Sequence, residues 1–477
     1  MENNPVSARS VPNRRAFLSA SAITAVAAPL ISVVSPASAA QAAARGVAAP
    51  QKFDKDLLAM LREIDPDRIK AIILKLVSFG TRHTLSSQTD PVRGIGAATE
   101  WVFGQMQAIA ATSSGRMTVQ KQSFVQPAGP RIPTPTTITN VIATLQGTAS
   151  PERFYVVTGH LDSRVTDVLN FTSDAPGADD DGSGVAVVLE LARIFATRQF
   201  PGTLVFGVVC GEEQGTFGSI FMANQMKAAG NDVQGMFSND IVGASQAFDG
   251  TKPDPHTLRL FLEGVPTNAT PQVIQLLQLV GGENDGLSRQ LGRFAVTSAP
   301  RELTDMNIRV IWRRDRYLRG SDHNSFQALG FPAARFTEPR ENFNHEHQDV
   351  RVENGVQFGD LPQFVDFNYV ARVAKVNASV MWALATGPSM PKNAQIVAIV
   401  LTNTTTLNWN ANTEANLAGY EVVWRETTSP TWDHVIPVGN VTTVTLDIAK
   451  DNVQFGVRAV DKAGNRSPVA FPAVVTS

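Results

Sequence analysis

The 477-residue sequence has a single cysteine, Cys210, so no disulfide bond can form within the chain. It also lacks a strong net charge: the formal value is −2 at pH 7, which gives no reason to expect nucleic acid or an acidic membrane surface as a partner. No segment reaches the ~18 consecutive apolar residues that a membrane-spanning helix needs. Stability must therefore come from an apolar core and any bound metal, and the chain is long enough for two or more domains.

The N-terminal residues 1–45 predict export rather than part of the fold. Arg14 and Arg15 precede an Ala-rich apolar run over residues 20–34, and the small residues 37–39 offer a cleavage site. This is the pattern of a signal peptide of the twin-arginine type. We therefore expect a secreted or periplasmic protein.

Residues 50–386 have the alternating strand and helix patterns of an α/β domain. Apolar, β-branched runs indicate buried strands, and helical patterns lie between them. The strand runs are 154–158, 203–210 and 236–243, and the helical patterns are 185–196 and 219–229. The alternation predicts a mixed, mostly parallel sheet flanked by helices, with a long helix near 364–385 closing the domain.

Residues 392–477 follow a Pro- and Gly-containing linker at 387–391 and have a different pattern. Short alternating strands separated by turn residues are typical of an all-β sandwich. The segments 417–422 and 459–467 resemble a fibronectin type III module, although Phe455 stands where that family often has a tyrosine.

Polar residues cluster where the predicted strands of the α/β domain end. His160 and Asp162 follow the first strand, Glu212 and Glu213 follow the second, and Asp240 lies in the third. Each of these signals alone more often marks a surface residue, a solvated turn or a helix cap. Together they indicate a zinc site, because the carboxyl ends of parallel strands meet at one edge of a sheet, and imidazole and carboxylate are the ligands of hydrolytic zinc.

The order of these motifs resembles peptidase family M28, the co-catalytic zinc peptidases, over residues 55–386. The matching segments are His160 to Ser163, Gly177 to Gly184, Gly211 to Glu213, Asn239 with Asp240, and His345. The resemblance implies a phosphorylase/hydrolase-like α/β fold and two zinc ions per chain.

The resemblance also implies a role for each matching residue. His160 and Asp240 would bind one zinc ion, Asp180 would bridge both, Glu213 and His345 would bind the other, and Glu212 would be the general base. Asp162 would orient the His160 imidazole from behind. Asp181 is expected to cap the helix that follows.

The segment around the last histidines leaves the oxyanion donor open. His345 is assigned as the ligand because it lies four residues before Asp349, as in the family, which leaves His347 as a rim residue or an oxyanion donor. Asn344 stands where the family often has an oxyanion-binding tyrosine. The candidate substrate or oxyanion contacts are Asn344, His347, Tyr317, Arg319 and His323.

These residues predict an exported di-zinc exopeptidase, most specifically an aminopeptidase that acts on a peptide or protein. A carboxypeptidase or a glutaminyl cyclase-like enzyme of the same fold is an alternative, and a catalytically inactive binding protein is an alternative from another class. A surface or polymer contact of the C-terminal module is left open. Because every candidate residue precedes the linker, a cut within residues 387–391 that removes the C-terminal module is expected to leave peptide hydrolysis largely intact.

Overall fold

The computed structural model of the chain describes residues 53–246 and 251–475, and its largest element is a mixed sheet of eight strands. The predicted signal peptide lies outside the described residues. Within the described ranges, no helix is long and apolar enough to cross a membrane.

The eight strands are β1 (Met117–Gln126), β2 (Thr136–Leu145), β3 (Ser150–His160), β4 (Gly202–Val209), β5 (Asp232–Asn239), β6 (Thr257–Phe261), β7 (Asn307–Ile311) and β8 (Ala333–Thr337). They lie in the order β1-β2-β4-β3-β5-β8-β6-β7. The pairs β4–β3, β3–β5, β5–β8 and β6–β7 are parallel, whereas β1–β2, β2–β4 and β8–β6 are antiparallel. The chain adds strands on both sides of β3, so the strand order reverses there and a crevice forms at its carboxyl end.

Apolar side chains on both faces of the sheet explain why the central strands are buried. In β4 every residue is buried, as expected for a strand covered on both sides. Successive side chains alternate between two cores: Leu204 and Phe206 belong to one cluster, and Val205 belongs to the other. The predicted fold class, a mixed α/β sheet flanked by helices, is confirmed.

The helices that flank the sheet include the three predicted at 185–196, 219–229 and near 364–385. They are α1 (Lys55–Arg62), α2 (Pro66–Val77), α3 (Ile95–Ala111), α4 (Gly182–Ala196), α5 (Glu212–Gly215), α6 (Phe217–Ala228), α7 (Pro271–Val280), α8 (Leu287–Ser298), α9 (Arg301–Thr304), α10 (His323–Gln327) and α11 (Phe367–Thr386). The apolar stretch that begins near Asp54 forms two helices, because Asp65 caps a new helix and Pro66 occupies its first position.

A small hairpin follows the last strand of the main sheet and returns the chain to the carboxyl edge of that sheet. Its strands are β9 (Arg351–Glu353) and β10 (Val356–Phe358), which pair in antiparallel register. The hairpin is important for the site because it lies between His347 and Asp360.

The C-terminal strands form two further sheets. Their bounds are β11 (Gln395–Val397), β12 (Thr405–Asn408), β13 (Leu417–Glu426), β14 (His434–Gly439), β15 (Thr443–Leu446), β16 (Val453–Asp461) and β17 (Ala473–Val475). The sheet orders are β15-β12-β11-β17 and β14-β13-β16. Leu407, Tyr420 and Phe455 come from both sheets and share one buried cluster. The fibronectin type III resemblance and the domain boundaries stay predictions.

Candidate metal centre

The carboxyl ends of three adjacent parallel strands bring the predicted site residues together. His160 is the last residue of β3, Asp240 directly follows β5, and Glu212 and Glu213 begin α5 just after β4. Asp180 lies in the turn before α4, which packs against β3. The residues therefore meet because the parallel pairing of β4, β3 and β5 aligns their ends.

One half of the site contains His160, Asp180 and Asp240, all buried. His160 Nε2 lies 3.1 Å from Asp180 Oδ1 and 3.9 Å from Asp240 Oδ1. Burial disfavours protonation of His160, but the carboxylates of Asp181, Asp180 and Asp240 raise its pKa well above the ordinary value. An imidazole nitrogen facing two carboxylate oxygens is an arrangement that can hold a divalent cation.

The other half contains Asp180, Glu213 and His347. His347 Nε2 lies 2.9 Å from Asp180 Oδ2 and 3.1 Å from Glu213 Oε1. The two oxygens of Asp180 thus face two different histidines. Burial would raise the pKa of Asp180, but His347 and His160 hold it well below its ordinary range.

The structure places His347, and not the predicted ligand His345, beside Asp180 and Glu213. The His345 ring stacks on Phe364, with ring centroids 3.6 Å apart, and burial lowers its pKa to about 4. The chain turns here, with the amides of His345 and Glu346 both donating to the Asn342 carbonyl. His347 adopts a left-handed conformation with φ of 54°, which sends its side chain toward Glu213.

The donor atoms present fit zinc. Glu213 Oε1 is buried and faces His347 Nε2 at 3.1 Å without an aligned hydrogen bond, as two ligands of one cation would. Two imidazole nitrogens and the oxygens of three carboxylates form two sets that share Asp180, and nitrogen with oxygen is a donor combination that zinc accepts.

Glu212 lies on the wall of a cavity of about 600 Å³ that Asp180, Glu213, Asp240 and His347 also line. Burial raises the pKa of Glu212 well above its ordinary value, and the nearby Asp240 and Glu213 raise it further. A carboxyl group with a raised pKa beside the cavity can both accept and return a proton.

Asp162 acts on the backbone more than on the imidazole. Its carboxylate accepts hydrogen bonds from the amides of Gly211, Glu212 and Glu213 at 2.9, 3.2 and 3.0 Å. His160 Nδ1 lies 3.8 Å from the carboxylate but 3.0 Å from the main-chain carbonyl of Asp162. The expected orienting contact is therefore made by the carbonyl, because the carboxylate is aimed at the turn that carries both glutamates.

Two other acidic groups fix the turn that carries Asp180. Asp181 caps α4 through the Gly184 amide, as expected, and also accepts from the His160 amide at 2.8 Å. Asp360, which sequence reasoning missed, accepts from the amides of Asp179 and Asp180 at 2.9 and 2.7 Å. No motif marks Asp360, because the hairpin β9–β10 separates it from the other site residues.

Of the remaining predicted contacts, Arg319 and His347 line the cavity. Tyr317 is 80% exposed and stacks with the Arg313 guanidinium. His323 is buried, where its Nε2 meets the Arg314 carbonyl at 2.9 Å. The main-chain N–H of Asn344 donates to Asn342 Oδ1, 3.1 Å away.

The cavity wall also includes charged residues that sequence reasoning did not select. The Arg164 Nε donates to Glu213 Oε2 at 2.8 Å, and its Nη2 lies 2.6 Å from His347 Nδ1. Glu346 is buried, and burial raises its pKa to about 8. Its position directly before His347 is the signal in the sequence that points to it.

Comparison with known proteins gives consistent matches. The model of peptidase family M28 matches residues 140–354. A probable zinc metalloprotease of Pyricularia oryzae is 50% identical over 432 residues, which cover 89% of this chain and 86% of that protein. A probable zinc metalloprotease of Leptosphaeria maculans is 49% identical over 419 residues, which cover 88% and 97% of the two chains. Among solved structures, the aminopeptidase from Aneurinibacillus sp. strain AM-1 is 16% identical with a TM-score of 0.47, covering 69% of this chain and 96% of that one.

Proposed function

The chain belongs to peptidase family M28 as a zinc metalloprotease, and from this premise we propose that it is a two-zinc exopeptidase, specifically an aminopeptidase. The observation that carries the proposal is the position of Asp180, whose two oxygens face His160 on one side and His347 on the other. His160 and Asp240 would hold one zinc ion, Glu213 and His347 would hold the other, and Asp180 would bridge them. When bound, the ions would polarise the scissile carbonyl and lower the pKa of a water molecule, so that the water can lose a proton and act as the nucleophile.

Glu212 would carry the proton. It lies beside the cavity and in the same turn as Glu213, so one side chain can bind metal while the other faces the substrate. Glu212 would accept the proton of the attacking water and donate it to the departing amine, which are steps that general acid–base catalysis requires. Its raised pKa makes the ionised Glu212 carboxylate a stronger proton acceptor than an ordinary one.

Recognition of a free amino terminus rather than a carboxyl terminus is supported by the carboxyl groups of Glu212 and Glu346, which both line the cavity. A carboxypeptidase is the second candidate, because Arg131 also lines the cavity while donating to the main-chain carbonyl of Glu213 at 2.8 Å. A guanidinium in that place could pair with a substrate carboxylate. The proposal includes export by the twin-arginine route, supported by Arg14, Arg15 and the apolar run that follows.

A panel of short peptides tests the proposal, with free ends, with an acetylated N-terminus and with an amidated C-terminus. We expect hydrolysis of peptides with a free amino group, no hydrolysis of acetylated ones, and little effect of C-terminal amidation. Zinc analysis should approach two ions per chain, and a strong chelator should abolish activity until zinc is restored. The reverse selectivity would establish a carboxypeptidase, cyclisation of N-terminal glutamine would establish the cyclase, and no turnover would favour a binding protein.

Matched variants of the two adjacent glutamates separate catalysis from metal binding in the same experiment. Glu212→Gln should retain zinc and lower kcat at least ~10²-fold, because a general acid–base commonly contributes that much. Glu213→Gln should lose zinc as well as activity. If Glu212→Gln lost zinc and Glu213→Gln retained it, the roles of the two glutamates would be exchanged.

A further inference from the structure

Arg82 is a completely buried arginine whose guanidinium binds main-chain carbonyls instead of carboxylates. Its exposed fraction is 0%, and arginine is seldom buried to this extent without a charged partner. Its Nε donates to the Leu161 carbonyl at 2.7 Å, Nη1 to the Pro176 carbonyl at 2.6 Å, and Nη2 to the Gly177 carbonyl at 2.8 Å. All three nitrogens of one rigid, planar group therefore hold the backbone.

These carbonyls belong to the two segments that carry His160 and Asp180. The first carbonyl comes directly after His160 at the end of β3, and the other two begin the turn that leads to Asp180. Asp360 holds two main-chain amides of this turn, so Arg82 holds the same turn from its carbonyl side. The guanidinium thus ties together the segments of two candidate metal ligands.

The fit between Arg82 and the turn leaves no space for a side chain at residue 177. Gly177 has a φ of 52°, and a Cβ atom on it would lie 2.8 Å from Arg82 Nη2 and 2.5 Å from the Ser163 Cβ atom. Ser163 provides a second link, because its Oγ donates to the Ala175 carbonyl at 2.7 Å and accepts from the Arg82 main-chain N–H at 3.2 Å. The turn can approach the guanidinium this closely only because residue 177 is glycine.

The charge of Arg82 also favours this arrangement. Burial lowers the pKa of Arg82 to about 10, although the nearby carboxylates of Asp360, Asp181, Asp162 and Asp180 raise it. The guanidinium is therefore charged at neutral pH, and it lies among groups whose negative charges would repel one another. Its positive charge reduces the cost of holding these groups in one small volume.

We propose that Arg82 is the positioning residue of the carboxylate that bridges the two zinc ions. This inference rests on the proposed two-zinc function and extends it to a residue that does not line the cavity. The three hydrogen bonds of the guanidinium set the position of Asp180 relative to His160. A residue that positions a terminal ligand would affect one zinc ion, whereas Arg82 would affect both ions through their shared ligand.

Arg289 is a matched control, because it is buried in a similar way outside the metal centre. It is 4% exposed, donates to the main-chain carbonyls of Glu263 and Trp312 at 2.8 and 3.0 Å, and has its pKa lowered to about 10 by burial. It does not line the cavity. Lysine at either position keeps the positive charge and removes the planar group, so the two variants lose similar contacts at different places.

Zinc titration of the full-length variants Arg82→Lys and Arg289→Lys tests the assignment. For Arg82→Lys we expect both zinc affinities to decrease about 10- to 100-fold, as for other groups that support metal ligands. The visible absorption spectrum of the cobalt-substituted variant should also change, because the ligand geometry changes. Arg289→Lys should melt at a lower temperature but keep the wild-type zinc affinities and cobalt spectrum.

Ser163→Ala tests the same inference with a smaller change. It removes only the second link between the segments and leaves the guanidinium in place. We expect zinc binding to weaken about 2- to 10-fold, the range of a single hydrogen bond. If Arg82→Lys does not fold, wild-type zinc affinities in Ser163→Ala overturn the inference.

The other outcomes also decide the matter. Wild-type zinc affinities with an unchanged cobalt spectrum in Arg82→Lys would show that Arg82 only stabilises the fold. Loss of one zinc ion alone would show that it positions a terminal ligand, and equal losses in Arg289→Lys would show that general destabilisation weakens the site. Each of these results overturns the inference and leaves the two-zinc proposal standing. A wild-type protein that binds a single zinc ion would overturn the proposed function, and the inference with it, before any variant is compared.

Discussion

At the scale of single residues, His347 is the side chain on which one half of the metal centre depends. Its Nε2 faces both Asp180 and Glu213, so alanine at this position removes the nitrogen between two carboxylates. Without it, a zinc ion in this half of the site would lose its nitrogen ligand and be held by carboxylates alone. We expect His347→Ala to bind one zinc ion fewer than wild type and to lose nearly all activity, as checked by metal analysis and peptide assays.

His345 provides the matched control, because it lies two residues away and stacks on Phe364. His345→Phe keeps an aromatic ring in that stack and should retain both zinc ions and most of the activity. A His345→Phe protein lacking zinc, beside a fully loaded His347→Ala, would restore the original assignment of His345.

The difference between these histidines shows what a residue pattern can predict. Four site residues could be predicted because each lies at or just after the end of a buried strand: His160, Glu212, Glu213 and Asp240. Apolar runs in the sequence indicate where such strands end. The interval from His345 to Asp349 has no such support. Whether a His-Glu-His segment is extended or turned depends on the hydrogen bonds of Asn342 and on a left-handed residue, which spacing does not show.

At the scale of structural elements, Asp162 determines the position of the turn that carries both glutamates. Its carboxylate accepts hydrogen bonds from three main-chain amides of this turn, and one from the Thr84 hydroxyl at 2.9 Å. Asp162→Asn exchanges one acceptor oxygen for a donor group, so at least one amide must lose its partner. We expect zinc affinity to decrease about 10- to 100-fold, as for other groups that support metal ligands, and calorimetric zinc titration measures it.

Thr84→Val is the control for this element, because it removes one donor to Asp162 and leaves the carboxylate on the amides. Its zinc affinity should stay much closer to wild type. Equal losses in the two variants would mean that the turn depends on the Thr84 hydroxyl as much as on the Asp162 carboxylate.

Some elements could not be predicted because their sequences are too short for a period to appear. The hairpin strands β9 and β10 have three residues each and mix charged with apolar side chains. Asp360 follows this hairpin and holds the amides of Asp179 and Asp180, so a contact essential to the site depends on an element without a sequence signal. The strands β3 and β4 are long, apolar and buried, and they were predicted.

At the scale of the whole molecule, the C-terminal sheets bind the peptidase part through a buried ion pair cluster. Asp285 is fully buried and pairs with Arg293 at 3.0 Å and with Arg425 of β13 at 2.6 Å. The Trp432 indole donates to Gln290 of α8 at 3.0 Å. The linker composition predicts independent parts, but these contacts make the two parts support each other.

A protein cut within residues 387–391 should therefore keep its chemistry and lose stability. Every residue of the candidate metal centre precedes the cut, so kcat/KM of the folded fragment should stay within about twofold of wild type if the parts are modular in function.

Arg425→Met keeps the C-terminal sheets but removes one partner of buried Asp285, which commonly costs about 3–5 kcal/mol. We expect that variant to melt well below wild type, and the cut protein to melt lower still because Trp432 and its contacts are lost as well. Thermal unfolding of the three proteins, with peptide turnover measured below each melting temperature, separates the two effects. A cut protein as stable as wild type would show that the parts are independent, whereas a folded fragment without turnover would make the C-terminal sheets part of the active site.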